Sequence, residues 1–193
     1  MRGHNVKGKI TAQSISLFEK KGFTETSIQD IVDSLGVTKG TFYYYFSSKE
    51  ELLMDIHLGY IDGLLYTQNH ILNDTSKSFK EKLSANVYML ITNITTQGAA
   101  AKIFFREMNN LSPEHLKIIE QKRDQFRLNI EGLIRAGMEN GELRADLNAP
   151  IITMGILGIT NWSYQWFNPD GNCTDEEVAE IFVEMILKGI QDN

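Results

Sequence analysis

Sulfur and imidazole chemistry has little material in this chain. There is one cysteine, Cys173, so no intrachain disulfide can form. A lone thiol suits a reducing cytoplasm, which is the expected location. Cys173 lies in a loop-like NPDGNC segment and reads as incidental. The four histidines are scattered, and His57 and His70 stand thirteen residues apart with no third ligand at metal spacing. No metal and no cofactor is expected. A nucleophile beside a base and a glycine-rich phosphate loop are also missing, so no enzyme is expected.

Proline is scarce as well, with three residues in 193, and strand-like alternation is nearly absent. No low-complexity run occurs among the fifteen glycines. No apolar run is long enough to cross a membrane. The opening MRGHNVKGKI lacks the apolar region of a signal peptide, so none is expected. What is present is 42% hydrophobic residues, enough for a full core. Together these features predict an all-α protein.

The most informative stretch is Thr26 to Leu53, TSIQDIVDSLGVTKGTFYYYFSSKEELL. Ser27 is an N-cap candidate, and Ile28, Ile31, Val32 and Leu35 follow at helical spacing. Gly36 ends that helix, because a left-handed C-terminal cap carries no steric cost in glycine. Thr38 caps a second helix from about Lys39 to Tyr45. Ser47 or Ser48 caps a third, with Glu50 and Glu51 in its first turn, where the helix dipole favours carboxylates. Helix, short glycine-containing turn, helix is the pattern of a helix-turn-helix DNA reader. The second helix sets Lys39, Thr41, Tyr43, Tyr44 and Tyr45 around an apolar anchor of Val37, Phe42 and Phe46. Hydroxyls, lysines and helix N-termini bind phosphates and base edges.

The stretch resembles the DNA-binding domain of TetR-family transcriptional repressors. Phe18 to Phe23, Thr26, Ser27, Ile31, Gly36 to Phe46 and Lys49 to Leu52 carry the resemblance. It implies DNA contacts from Ser27, Thr38, Lys39, Gly40, Thr41, Tyr43, Tyr44 and Lys49, and puts Lys7 and Lys9 in reach of the DNA backbone. The overall charge of −6 seems wrong for that task until it is divided. Residues 1–50 hold seven basic against five acidic side chains, a net +2. The remainder holds twelve against twenty, a net −8. The basic excess sits with the motif, and it is small enough that tight binding calls for two copies.

The rest reads as helices. One precedes the motif, from about Val6 to Lys21. A long proline-free helix runs from about Ser48 to Leu72. Others are expected over Phe79–Thr96, over AAAKIFFREMNN after Gly98, from Ser112-Pro113 to Asn140, over Ala149–Phe167, and from the capping box at Thr174 and Glu177 to Ile190. That makes about nine helices. They form a three-helix DNA-binding domain over residues 1–46 and a larger ligand-binding and dimerisation domain over 47–193.

The last two helices are too apolar for an outer layer. IITMGILGITNWSYQWF has few charges, and its Gly155 and Gly158 allow close helix approach. Val178, Ile181, Phe182, Met185, Ile186 and Ile190 give the final helix a broad apolar face. A symmetric four-helix interface between two chains would cover both helices. The family resemblance implies the same, with Met154, Leu157, Gly158, Phe182 and Met185 at the interface.

The resemblance further implies an effector cavity in the helical body. Its expected lining is Tyr60, Leu64, Tyr88, Phe105, Arg106, Met108, Phe126, Asn161, Trp162, Gln165 and Trp166. Asn161, Ser163 and Gln165 interrupt an apolar helix, and a buried polar group needs a partner. A ligand and the dimer partner remain equal alternatives for Asn161. LSPEH (111–115) and NWSYQWFNPDG (161–171) resemble a TetR subgroup that regulates fatty-acid or sterol degradation and senses acyl-CoA thioesters. Arg106, Lys122, Arg123 and Arg127 are the cations available for its phosphates. A lipophilic drug-like molecule is the alternative effector. The expected partners are therefore double-stranded DNA, a second copy of the chain and a small-molecule effector, with no membrane. The alternative class is an architectural DNA-binding protein that needs no ligand.

Overall fold

Helix ends are where this sequence acts most directly on its backbone. A computed structural model of the chain describes residues 3–190, and among them no segment forms a β-strand. The elements are α1 (Gly3–Lys21), α2 (Ile28–Leu35), α3 (Lys39–Tyr45), α4 (Lys49–Asn73), α5 (Phe79–Arg106), a 3-10 turn (Met108–Asn110), α6 (Pro113–Glu139), α7 (Ala149–Trp166) and α8 (Asp175–Ile190).

Most of these boundaries are set by side chains that satisfy the free amides of a first turn. Ser27 and Asp30 form a reciprocal capping box on α2, with Asp30 N donating to Ser27 Oγ at 3.0 Å and Ser27 N to Asp30 Oδ2 at 2.8 Å. Thr38 accepts from Thr41 N at 3.2 Å, and Ser48 from Glu51 N at 3.0 Å. Ser112 accepts from His115 N, and Asn148 from Ile151 N. Thr174 and Glu177 form a second capping box, at 3.1 and 2.8 Å. Gly36 adopts φ 64°, ψ 32°, and Val37 N reaches back to Val32 O at 3.0 Å. This left-handed closure ends α2 and starts the turn into α3.

The expected boundary at Gly98 is a kink. The two helices predicted either side of Gly98 are the two halves of α5, separated by a kink at Gln97, whose angles are non-helical (φ −133°, ψ 22°). Counted across that kink as one element, the described residues form eight α-helices and one 3-10 turn; with its two halves counted separately, nine α-helices.

Two compact units result. The first comprises residues up to Ile61 together with Ala99–Glu120, and the second Asp62–Gly98 together with the chain from Gln121 onward. In the first unit α1–α3 do not stand alone. Ile10, Phe18, Ile31, Phe42, Leu52, Leu53 and Ile103 are all almost fully buried in it. Lys102 Nζ pairs with Glu19 Oε1 at 2.8 Å, and Glu50 Oε1 accepts from Ser112 N at 2.9 Å and meets His115 Nδ1 at 2.8 Å. A three-helix motif is thereby enlarged by the start of α4 and by residues 99–120, which gives it a core it lacks by itself.

In the second unit Ile91, Val178 and Ala179 form a core cluster, with Tyr88, Phe167 and Phe182 packed on it. The buried Gln68 donates to Phe126 O at 3.1 Å and accepts from Asn129 Nδ2 at 2.7 Å, which ties α4 to α6. Arg144 N donates to Ile190 O at 2.8 Å and fastens the end of α8.

Candidate nucleic-acid interface

The second helix of the motif has two unlike sides. Phe42 is fully buried and Phe46 nearly so, one turn apart, and each anchors α3 with about 1.5–3 kcal/mol of apolar burial. On the other side Thr38, Lys39, Gly40, Tyr43 and Tyr44 are exposed. Tyr44 is 81% exposed and Tyr43 54%. Tyr44 stacks edge-on against Tyr45 at 4.9 Å, which stiffens a ring that nothing buries. Thr38 and Thr41 share a hydroxyl contact of 3.1 Å at the helix N-terminus. A methyl group added at Gly40 would meet only Thr38 Oγ1, at 3.6 Å, so a second molecule has open access to that backbone. Ser27 lies exposed at the start of α2, its hydroxyl donating to Asp30 Oδ2 at 2.8 Å.

Two lysines have other tasks. Lys49, expected among the DNA contacts, directs its ammonium inward. It donates to Phe23 O and Thr26 O, each at 2.7 Å, and to Thr24 O at 3.4 Å, and it lies 4.3 Å from the Phe23 ring centre. Burial lowers its pKa, and Glu25, Asp30 and Glu107 act in the opposite sense. Lys7 pairs with Asp55 at 2.5 Å and lies 5.2 Å from the Phe46 ring. Lys9 and Lys39 remain on the exposed surface. Sequence reasoning saw the charge of Lys49 but not its direction, because the three carbonyls lie 23 to 26 residues away in the chain.

In the second unit the surface of α7 runs against the usual order. Its buried face includes Thr153, Thr160 and Ser163, and each hydroxyl donates to a carbonyl one turn back, at 2.8, 2.8 and 3.0 Å. Those polar groups are satisfied within the helix and need neither ligand nor partner. Its exposed face is the apolar one, made of Ile151, Met154, Gly155, Gly158, Trp162 and Trp166. Ile181 and Met185 of α8 are also exposed. Of the residues expected at a dimer interface, Met154, Gly158 and Met185 are exposed, Leu157 is half-buried, and Phe182 packs partly on the Ile91 cluster. Trp162 and Trp166 were expected in a cavity. The helical phase sets them on the outer apolar stripe, at 62% and 50% exposure. Gln165 shares that side, and its amide donates to Tyr164 Oη at 2.7 Å; Asn161 is half-buried.

The other expected effector contacts divide between the units. Tyr60, Phe105, Arg106 and Met108 belong to the first, where Tyr60 and Phe105 both pack on Phe104, at 4.9 and 5.4 Å. Leu64, Tyr88 and Phe126 belong to the second, with Leu64 and Phe126 buried. Burial raises the pKa of the Tyr88 phenol, and the neighbouring Glu180 carboxylate raises it further. Of the expected phosphate-binding cations, Lys122 pairs with Asp62 at 2.6 Å, and Arg127 pairs with Glu131 and Asp124 at 3.2 and 3.3 Å. No helix among the described residues is long and apolar enough to cross a membrane.

A helix-turn-helix whose second helix buries two phenylalanines and exposes hydroxyls beside a lysine is the reading head of a DNA-binding regulator. The family profile for tetR-family bacterial regulatory proteins matches residues 10–56, and that for the tetracyclin repressor-like C-terminal domain matches residues 76–190. The chain belongs to the TetR family of transcriptional regulators.

Among its relatives is the HTH-type transcriptional repressor KstR2 of Mycobacterium tuberculosis. It is 26% identical over 185 residues, which cover 95% of this chain and 92% of that protein. The structure of KstR2, a ketosteroid transcriptional regulator, aligns with a TM-score of 0.89 over 97% of this chain and 95% of that one. PfmR from Thermus thermophilus aligns at 0.87 with 30% identity, covering 93% and 97%. AibR, solved with isovaleryl coenzyme A and operator DNA, aligns at 0.84 with 25% identity, covering 93% and 97%.

Proposed function

We propose that this regulator is a homodimeric repressor that leaves a two-fold symmetric operator when a small apolar ligand binds. Residues 1–46 are the reading part and 47–193 the sensing and pairing part. The observation that carries the DNA reading is the exposure of Tyr43 and Tyr44 on a helix anchored by Phe42 and Phe46. Thr38, Lys39, Gly40, Thr41, Tyr43 and Tyr44 are the contacts we assign, with Ser27 on the adjoining helix. Lys39 and Thr41 suit base edges, and the tyrosines and Ser27 suit phosphates. Two heads would enter successive major grooves about 34–36 Å apart.

The effector we propose is an acyl-CoA thioester. Support comes from AibR, whose structure holds isovaleryl coenzyme A, and from KstR2, a regulator named for ketosteroids. Arg123, exposed on α6 of the second unit, is the cation we assign to its phosphates. Leu64, Tyr88 and Phe126 are the apolar contacts we assign to its acyl chain. Ligand binding need favour a non-reading arrangement by only a few kcal/mol to empty the operator.

A duplex selected from a random-sequence pool tests this by gel shift. The chain should bind one palindrome far more tightly than random DNA, and an acyl-CoA should release it. Tyr44→Ala should lower that affinity roughly tenfold or more, the effect of about 1.4 kcal/mol, with no change in melting temperature. Equal affinity for every sequence would favour an architectural protein and sink the proposal.

A further inference from the structure

We infer that Lys49 is a positioning residue that fixes the α1–α2 connection for reading, and that it does not ligate a DNA phosphate. The inference rests on the DNA-binding function above and concerns the division of labour within the head.

An ammonium has three donors and no acceptor. In Lys49 they meet the carbonyls of Phe23, Thr26 and Thr24, at 2.7, 2.7 and 3.4 Å. The Phe23 ring lies 4.3 Å away, itself buried and edge-packed on Phe18 at 5.2 Å. A phosphate oxygen would have to displace one of these carbonyls to reach the charge.

The connection is held from other sides as well. Thr26 Oγ1 donates to Gly22 O at 2.8 Å, Thr26 N to Phe23 O at 3.3 Å, and Phe23 N makes a longer contact with Glu107 Oε1 at 3.4 Å. Ser27, the next residue, caps α2. The short turn at Gly36 then passes the attitude of α2 on to α3. Lys49, in the first turn of α4, is therefore the group through which α4 sets the tilt of the helix pair. Loosening it shifts Thr41 and Tyr44 while every phosphate-binding group stays in the chain.

Salt dependence separates the two roles. Each phosphate neutralised by a cation contributes about 0.9 to the slope of log K against log salt. The probe is the duplex that the wild-type chain selects from a random pool, titrated with KCl. Lys49→Met should bind it roughly tenfold or more weakly with the wild-type slope, whereas Lys9→Ala, at the exposed lysine in reach of the DNA backbone, should reduce the slope by about 0.9 per head. Lys49→Arg keeps a cation that binds phosphate at least as well, but its planar fork does not fit three converging carbonyls. It should fail to restore affinity.

Amide exchange in the DNA-free protein gives a second reading, which Lys49→Arg supplies should Lys49→Met fail to fold. The Thr26 amide should exchange faster in the variants than in wild type. A slope lowered by about 0.9 per head, with affinity restored by arginine, would overturn the inference. So would unchanged exchange at Thr26. A wild-type chain that selects no duplex would count against the DNA-binding function alone, and the exchange result would still decide the role of Lys49.

Discussion

Tyr44 and Phe42 lie two residues apart, one almost wholly in water and the other with none of its surface exposed. Their spacing fixes that contrast, because residues two apart on a helix face opposite sides. Residue type and phase were thus enough to find the exposed side of α3. They were not enough to assign the partners of polar side chains. Ser163 looked like a group in need of a ligand, yet it is satisfied by Ile159 O. Lys49 looked like a DNA contact, yet its ammonium faces the loop before α2. At this scale the Ser27–Asp30 pair offers a test. Both donors of Ser27 hold the Asp30 carboxyl below its ordinary 3.8. A folded-state pKa below the unfolded one gives stability that is complete above the unfolded value and is lost as pH falls through the folded one. Melting temperature should therefore fall below about pH 4, and Asp30→Asn should remove that part of the decline. An unchanged pH profile in the variant would show that the capping box does not stabilise the head.

Helix boundaries were the most legible level, since caps are local chemistry. Ser27, Gly36, Thr38, Ser112 and Thr174 all sit where the backbone requires them. The break expected at Gly98 falls one residue earlier, as the kink at Gln97 within α5. Gly137 in α6 shows a different use of glycine. A methyl group there would lie 2.8 Å from Leu143 Cδ1 and 3.2 Å from Phe79 Cβ, whereas at Gly63 in α4 it would meet nothing within 4 Å. Helix propensity alone predicts that alanine stabilises both sites by up to about 1 kcal/mol. Packing should reverse the sign at one of them. Gly137→Ala should destabilise by about 1–3 kcal/mol and Gly63→Ala should stabilise, as measured by urea unfolding. Equal effects would mean that Leu143 moves aside without penalty.

For the whole molecule, the outer face of α7 is the feature a single chain leaves unexplained. An apolar stripe containing two tryptophans, with hydroxyls on the buried side, calls for a cover of matching chemistry. A second copy placed about a two-fold axis presents the same stripe and meets that need. The expected outcome is a sedimenting mass of two chains, with Met154→Lys or Trp162→Glu giving one chain that keeps its helical circular dichroism. A wild-type monomer would remove the basis for paired heads. It would also leave the head's net +2 to bind DNA unaided.

The sequence by itself determined the helical class, the caps, the reading motif and the family, because each rests on residues close together in the chain. Helical phase and capping need no knowledge of distant neighbours. Only the tertiary structure decided which way the side chains act. It turned Lys49 toward the carbonyls of Phe23, Thr24 and Thr26, gave Lys122 a carboxylate partner in Asp62, and left Trp162 and Trp166 exposed. The physical reason is that a polar or aromatic side chain takes its role from what it meets. Those neighbours are brought together by packing and not by adjacency in sequence.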